Sequence, residues 1–291
     1  MPRVRATFCG VRGSTPAPGP EFVRVGGHTS CVALSAGSAG PAGSGDAGAP
    51  TLLLDAGTGI RRVPALLGGG PYRGTILLTH LHWDHVQGIP FFPAGDRDDA
   101  EVTLLMPAQG DALGVLSRAM SPPHFPITPD GLRGTWTFAG LEPGEHDIEG
   151  FRVTAAEIPH KGGRTFGYRV SHEGRSLAYL PDHGPRGCGD GPDGLGARHT
   201  AALTLAGDVD VLIHGAQFTA AEATMAADFG HATVDYAVAL ATEAGARRLV
   251  LFHHSPARTD DQVEAIAATL AAAAPAGLAV TAATELLTLE V

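Results

Sequence analysis

Apolar residues in this chain gather in short runs broken by Gly, Pro and Asp, and only late do they take helical spacing. The runs predict strands at 3–9, from about 29 to 34, and at 51–55, 75–79, 101–106, 135–138 and 151–158. Further strands are predicted at 166–170 and 176–180, a hairpin turning at Glu173-Gly174, and at 210–213 and 248–252. Helical spacing appears at 108–120, through Leu113, Leu116 and Met120. It returns after Thr233, an N-cap candidate, with Val234, Ala237, Val238 and Ala241, and stops at Gly245. A final helix opens on a Thr259–Gln262 capping box and turns Val263, Ile266 and Leu270 inward. The uncharged stretch 266–284 is broken by Pro275 and Gly277 and reads as helix, turn and strand rather than a membrane span. Residues 35–50 are almost all Ser, Ala, Gly and Pro and read as a flexible insertion without a core. No linker separates two cores, so a single domain over 1–291 is expected.

Composition narrows the partners. The formal net charge is −10 and no basic run occurs. This weighs against a nucleic-acid surface, which needs clustered Lys and Arg. A small anionic substrate stays compatible, because bound metal ions supply local positive charge. Cys9, Cys31 and Cys188 are odd in number and lack a pairing motif. With no apolar signal-peptide core at the start, the expectation is a cytoplasmic chain with free thiols and no membrane partner. A homodimer is left open.

The chemistry concentrates after the run at 75–79. His80, His82, Asp84 and His85 fall within the stretch His80-Leu81-His82-Trp83-Asp84-His85. In extended backbone His80 and His82 point the same way and can share an ion. A turn after them can send Asp84 and His85 toward a second ion. Imidazole with carboxylate suits zinc, manganese or iron better than calcium or magnesium. Other polar residues also sit just past strand-like runs: His160, Asp182, His214, His231 and His253. Strand ends gathering at one sheet edge would bring many of them together. Asp55 ends its run as well, where it is either a turn-capping residue or an acceptor that orients a metal-bound histidine. His124 and Phe125, in a Pro-rich loop, are candidates for loop packing or for a pocket wall.

This pattern resembles the HxHxDH signature of the metallo-β-lactamase superfamily. Within it the chain looks closest to the branch holding ribonuclease Z and cyclic-nucleotide phosphodiesterases. The resemblance runs from the Gly10-Val11-Arg12-Gly13-Ser14-Thr15-Pro16 loop to the final helix. It implies an αββα sandwich, two facing mixed sheets with helices outside. It implies two divalent metal ions, zinc first and manganese or iron as alternatives. His80, His82 and His160 would hold one ion, and Asp84, His85 and His253 the other. Asp182 would bridge, and Asp55 would orient a ligand. His231, in Gly-His-Ala-Thr, matches a histidine that assists phosphodiester cleavage, and Asp84 would also serve as proton acceptor. The chain departs from the branch at Gly215, which replaces an acidic residue, and at His28, which replaces asparagine. It also lacks a basic arm for transfer RNA. His214 is an alternative to His231 as proton donor, and His254 an alternative to His253 as ligand.

The expected activity is therefore phosphodiester hydrolysis at a dinuclear centre, on a small substrate such as a cyclic nucleotide. The rivals are an acyl, lactone or thioester hydrolase using the same metals, and a metal-containing binding domain without turnover.

Overall fold

Strands dominate residues 2–38 and 48–291, the part of the chain described by the computed structural model. Six come first: β1 (Pro2–Gly10), β2 (Cys31–Ser38), β3 (Leu52–Leu54), β4 (Arg73–Leu77), β5 (Glu101–Pro107) and β6 (Thr135–Leu141). Seven follow: β7 (Gly144–Ile148), β8 (Phe151–Glu157), β9 (Phe166–His172), β10 (Arg175–Leu180), β11 (Val211–Gly215), β12 (Arg248–Phe252) and β13 (Ala279–Ala282). A last strand, β14 (Thr288–Glu290), returns to pair with β1. The first sheet runs β14-β1-β2-β3-β4-β5-β6, and the second β13-β12-β11-β10-β9-β8-β7.

Side-chain alternation explains the layering. Leu52 and Leu54 join a central core between the sheets, while Leu53 faces the other way into an outer core. The central core sets Phe8, Leu34 and Leu77 against Tyr168, Tyr179 and Phe252 of the second sheet. Short helices α1 (Val63–Leu66), α2 (Trp83–Val86) and α3 (Ala112–Ser117) help close the outer core of the first sheet through Val63, Val86 and Leu116. On the second sheet the cover comes from α4 (Thr200–Ala206), then, past α5 (Ala223–Phe229), from α6 (Val234–Glu243) and α7 (Asp260–Ala273). Strands covered on both faces read as unbroken apolar runs, and this is why the strand positions were legible. The result is the expected αββα sandwich.

Direction places the site. β3 to β6 run parallel, and β1 runs with them because β2 opposes both β1 and β3. In the second sheet β10 to β13 run parallel, and β8 runs with them because β9 opposes both. Each sheet therefore delivers several strand C-terminal ends to a single edge, the usual location of ligand sites in open α/β sheets.

Several local expectations needed correction. The helix expected at 108–120 is confined to α3. Gly110 sits at φ 113, and the Asp111 side chain accepts from Gly114 N at 2.7 Å, so the helix starts only after this cap. β2 continues through Ser38, taking residues 35–38 of the expected insertion into the sheet; residues 39–47 lie outside the described part. β7, β14, α4 and α5 were not anticipated. β7 is a polar edge strand with sequence Gly-Glu-His-Asp-Ile, which carries little apolar alternation. The hairpin turn stands, with Glu173 and Gly174 at φ 47 and 81 as a two-residue hairpin loop needs. So do the Thr259–Gln262 capping box and the helix, turn and strand across 266–284. Among the described residues no helix is long and apolar enough to cross a membrane.

Candidate metal centre

β4 hands the chain to an extended segment, and α2 begins at Trp83, so the turn falls between His82 and Asp84. His82 keeps extended backbone at φ −64, ψ 150. His80 and His82 thus face one position, and Asp84 and His85, on the first turn of α2, face another. Two groups result. His80, His82, His160 and Asp182 offer ligand atoms within 4.8 Å of one another, and so do Asp84, His85, Asp182 and His253. Asp182 belongs to both. Its Oδ2 lies 3.1 Å from His80 Nε2 and 3.2 Å from His85 Nε2, and its Oδ1 lies 3.0 Å from His253 Nε2.

The donor set fits divalent metal. Among the described residues, buried His80 Nε2 and Asp182 Oδ1 make no hydrogen bond, although both crowd against their neighbours. Burying such atoms without partners is costly. The surrounding contacts also fix which nitrogen faces inward. His85 Nδ1 donates to Asp55 Oδ2 at 2.7 Å. His160 Nδ1 donates to Gly230 O at 2.6 Å. The Thr79 hydroxyl donates to Asp55 and accepts from His80 Nδ1 at 3.0 Å. Each contact leaves Nε2 as a lone-pair donor, the arrangement that outer hydrogen bonds give metal-binding histidines. Asp55 thus orients His85 and is not a turn cap.

Backbone strain clusters here as well. Ser14, Asp55 and His253 are non-glycine residues at φ 62, 61 and 56. Each such residue costs on the order of 1–3 kcal/mol and persists where surrounding structure over-determines it. Ser14 N donates to Asp84 Oδ2 at 2.6 Å, and His253 Nε2 lies 3.0 Å from the same oxygen. Gly13 makes room for His253: a Cβ there would lie 2.3 Å from the imidazole ring.

Electrostatics follow the geometry. Burial opposes charge on His253, but Asp182 and Asp84 outweigh it and raise its pKa to about 9. Burial likewise opposes charge on His85, yet Asp55, Asp84 and Asp182 raise it well above the ordinary histidine value. Burial pushes Asp182 and Asp84 up, but the neighbouring histidines hold both below the usual carboxylate range. Protons thus balance the carboxylates in the metal-free site, and metal binding would displace them.

His231 stands at the rim. Gly230, left-handed at φ 77 after α5, turns the chain so that its carbonyl meets His160 and the next side chain faces the cleft. His231 Nδ1 is 3.9 Å from Asp182 Oδ1, and its ring lies 4.9 Å from that of His160. Burial lowers its pKa to about 3 despite Asp182. The cleft, of about 430 Å³, is lined by Ser14, Leu81, His82, Trp83, Asp84, His160, Phe229 and His231.

The alternatives lie elsewhere. His254 Nε2 donates to Ala283 O at 3.0 Å and belongs to neither ligand group. His214 does not line the cleft; its Nε2 accepts from His183 Nδ1 at 3.0 Å, and its Nδ1 contacts Gly215 O at 3.1 Å. A Cβ at Gly215 would lie 2.2 Å from Pro181 O, so the close packing of β11 against the Asp182 loop excludes an acidic side chain there. His28 Nδ1 lies 3.2 Å from Thr58 Oγ1 and serves the loop beside β2. Phe125 packs edge-on to Phe91 at 5.8 Å, and His124 is exposed.

Sequence reading missed Ser14, Thr79, Tyr179 and His183. Tyr179 OH donates to Asp55 Oδ2 at 2.9 Å. Its signal was present, since alternation along β10 turns Tyr179 into the core, where a phenol needs a partner. His183 also bridges to His199, Nε2 to Nε2 at 2.7 Å, which needs tertiary structure to see.

Burial lowers His214 to about 4, so the fold holds it neutral. The unfolded chain, with a histidine value near ~6.5, binds that proton more readily. The stability from His214 is thus present above about 6.5 and is lost as pH falls toward about 4. The drop in urea midpoint between pH 7 and pH 5 should be larger in the parent than in His214→Gln. Equal drops would remove His214 from the acid response.

Four layers carrying paired histidine–carboxylate groups at one sheet edge define a metal-dependent hydrolase of the αββα class. Residues 51–254 match the family described as "Beta-lactamase superfamily domain", and the chain belongs to that superfamily. It is 29% identical over 270 residues to a protein named Ribonuclease Z from Bradyrhizobium diazoefficiens, covering 77% of this chain and 86% of that relative. Two solved structures share the fold. The short form of human tRNase Z has a TM-score of 0.62 at 21% identity, covering 98% of each chain. Zn(2+)-bound PqqB from Methylobacterium extorquens has a TM-score of 0.67 at 17% identity, covering 99% of this chain and 100% of that one.

Proposed function

We propose that this chain hydrolyses small phosphodiesters at a centre of two divalent metal ions, zinc first. The observation that carries the reading is the pair of ligand groups sharing Asp182, with His231 beside them on an open cleft. His80, His82 and His160 would hold one ion, Asp84, His85 and His253 the other, and Asp182 both. Bound there, the ions would supply Lewis-acid charge and a water of lowered pKa. Asp84, held by Ser14 N–H, would take up a proton during attack. His231 is held neutral by burial, so its part would be N–H donation to the leaving oxygen as charge develops there. A small diester such as a cyclic nucleotide suits the size of the cleft, and the acidic chain favours it over a polyanion.

The test is hydrolysis of bis(p-nitrophenyl) phosphate against p-nitrophenyl acetate by metal-analysed, zinc-loaded protein. Faster acetate hydrolysis would replace this reading with acyl chemistry. A second reading, cleavage of precursor transfer RNA, is favoured by the relative named Ribonuclease Z. The net charge of −10 weighs against it. Cleavage of a 3′-extended precursor tRNA at low protein concentration would favour it over the small substrate.

His231 lies outside both ligand groups, so His231→Ala should leave metal content intact. Its phosphodiesterase rate should fall by at least ~10²-fold, the usual loss when one donor to developing charge is removed. Full activity in His231→Ala would reduce the residue to a flank of α6.

A further inference from the structure

Trp83 sits between two ligand candidates, His82 and Asp84, yet it is 76% exposed. A large indole held in water beside a charged centre is an unusual expense of apolar surface. It lines the cleft described above and also a second, apolar cavity of about 220 Å³. That cavity lies between α2, the turn at Ile89–Phe91 and α3, walled by Val86, Ile89, Phe91, Leu116, Met120 and Phe125. Among the described residues Gln87 is its only hydrogen-bonding side chain other than the indole itself, and no charged side chain lines it. Across the cleft stands Phe229, 58% exposed and stacked parallel on Phe218 at 6.4 Å.

The opposite flank of the site differs. Beyond His160 and His231, the wall continues to Lys161 and Arg186. Asp228 shares that wall and Arg186 is paired with Asp190 at 2.9 Å, so the centre is apolar on one side and charged, with both signs, on the other. Because Trp83 is common to cleft and cavity, an apolar group attached to a phosphate in the cleft meets the indole first. The cavity is half open to solvent beside Trp83 and Phe91, and its volume of about 220 Å³ has room for an aromatic ring.

We propose that the substrate is a small phosphodiester bearing an aromatic ester group, which Trp83 and the apolar cavity behind it receive. The proposal rests on the phosphodiesterase reading above. Trp83 is then a specificity-determining residue, and the side chains at Phe91, Met120 and Phe125 set how large a ring is accepted. The net charge of −10 favours a free small diester over the end of an RNA chain.

The test uses p-nitrophenyl phosphodiesters with one leaving group and a second ester of methyl or phenyl. The parent should prefer phenyl over methyl by ~10–100-fold in kcat/KM, the range a buried ring provides. Trp83→Ala should cut that ratio at least tenfold. Met120→Gln, placed away from the ligands, should cut it in the same direction. Binding of phenylphosphonate against methylphosphonate to the zinc-loaded protein, by calorimetry, should repeat the preference without turnover. Equal treatment of phenyl and methyl, in rate and in binding, overturns the proposal while leaving phosphodiester hydrolysis standing. Failure to hydrolyse any diester, with no phosphonate binding, overturns both. A dimer that Phe91→Ser dissociates, with the ratio unchanged, would instead make this face an interface between copies. Precursor tRNA cleaved by the parent and spared by Trp83→Ala would assign the cavity to a nucleobase and overturn the small substrate.

Discussion

Asp182→Ala should lose metal and activity together. Among the described residues its carboxylate alone belongs to both ligand groups, with Oδ2 3.1 Å from His80 Nε2 and Oδ1 3.0 Å from His253 Nε2. Without it each group keeps three protein ligands, and the two positions lose their shared negative charge. Metal stabilisation of transition-state charge is worth several kcal/mol, and about 4 kcal/mol is about 10³-fold in rate. The expected result is fewer than two ions per chain by elemental analysis and a phosphodiesterase rate at least ~10³-fold below the parent. The contrast with His231→Ala, which should keep its metal, separates loss of the centre from loss of a donor. A variant retaining two ions and most of its rate would show that Asp182 does not bridge.

Asp55 yields the second large effect, and two substitutions divide it. Its carboxylate accepts from His85 Nδ1, Thr79 N, the Thr79 hydroxyl and Tyr179 OH, all buried. Asp55→Ala strands these donors, at about 1–3 kcal/mol each, and places alanine at φ 61. A loss of stability of at least about 3 kcal/mol is expected, read as the urea midpoint of the metal-free protein. Asn tolerates the left-handed backbone and keeps one acceptor oxygen. Asp55→Asn should therefore stay folded but bind metal ~10–100-fold more weakly, the usual effect of losing an outer partner of a ligating histidine. Parent-like metal affinity in Asp55→Asn would mean that the charge on Asp55 does nothing for His85.

How far the sequence revealed this depends on the kind of signal. The central strands β3, β11 and β12 were legible because they are buried on both faces, so apolar runs stand out against Gly and Pro, and β8 was legible from its alternation. β7 and β14 were not, since polar or three-residue edge strands carry no such run. The candidate ligands were legible because they lie directly after strands, where chain direction alone selects the edge. Their supports were not: Ser14 N–H reaches Asp84 across 70 residues and Tyr179 reaches Asp55 across 124. Gly215 looked like a missing acid. Only the 2.2 Å approach of Pro181 O shows that no side chain fits there.

The return of β14 to β1 has a consequence for how the chain is made. Arg5 pairs with Glu290, so the rim of the first sheet stays bare until residues 288–290 have left the ribosome. Both ligand groups also wait, because each draws on residues from both sides of the sequence: His80 and His82 need His160 and Asp182, and Asp84 and His85 need Asp182 and His253. A nascent chain bearing the histidine-rich stretch can chelate ions but cannot yet seat them in a finished group. Contacts of such long sequence separation form late and slowly. A finished ion site would therefore form only after His253 has joined the fold, and until β14 pairs with β1 that edge strand stays open to pairing with other chains.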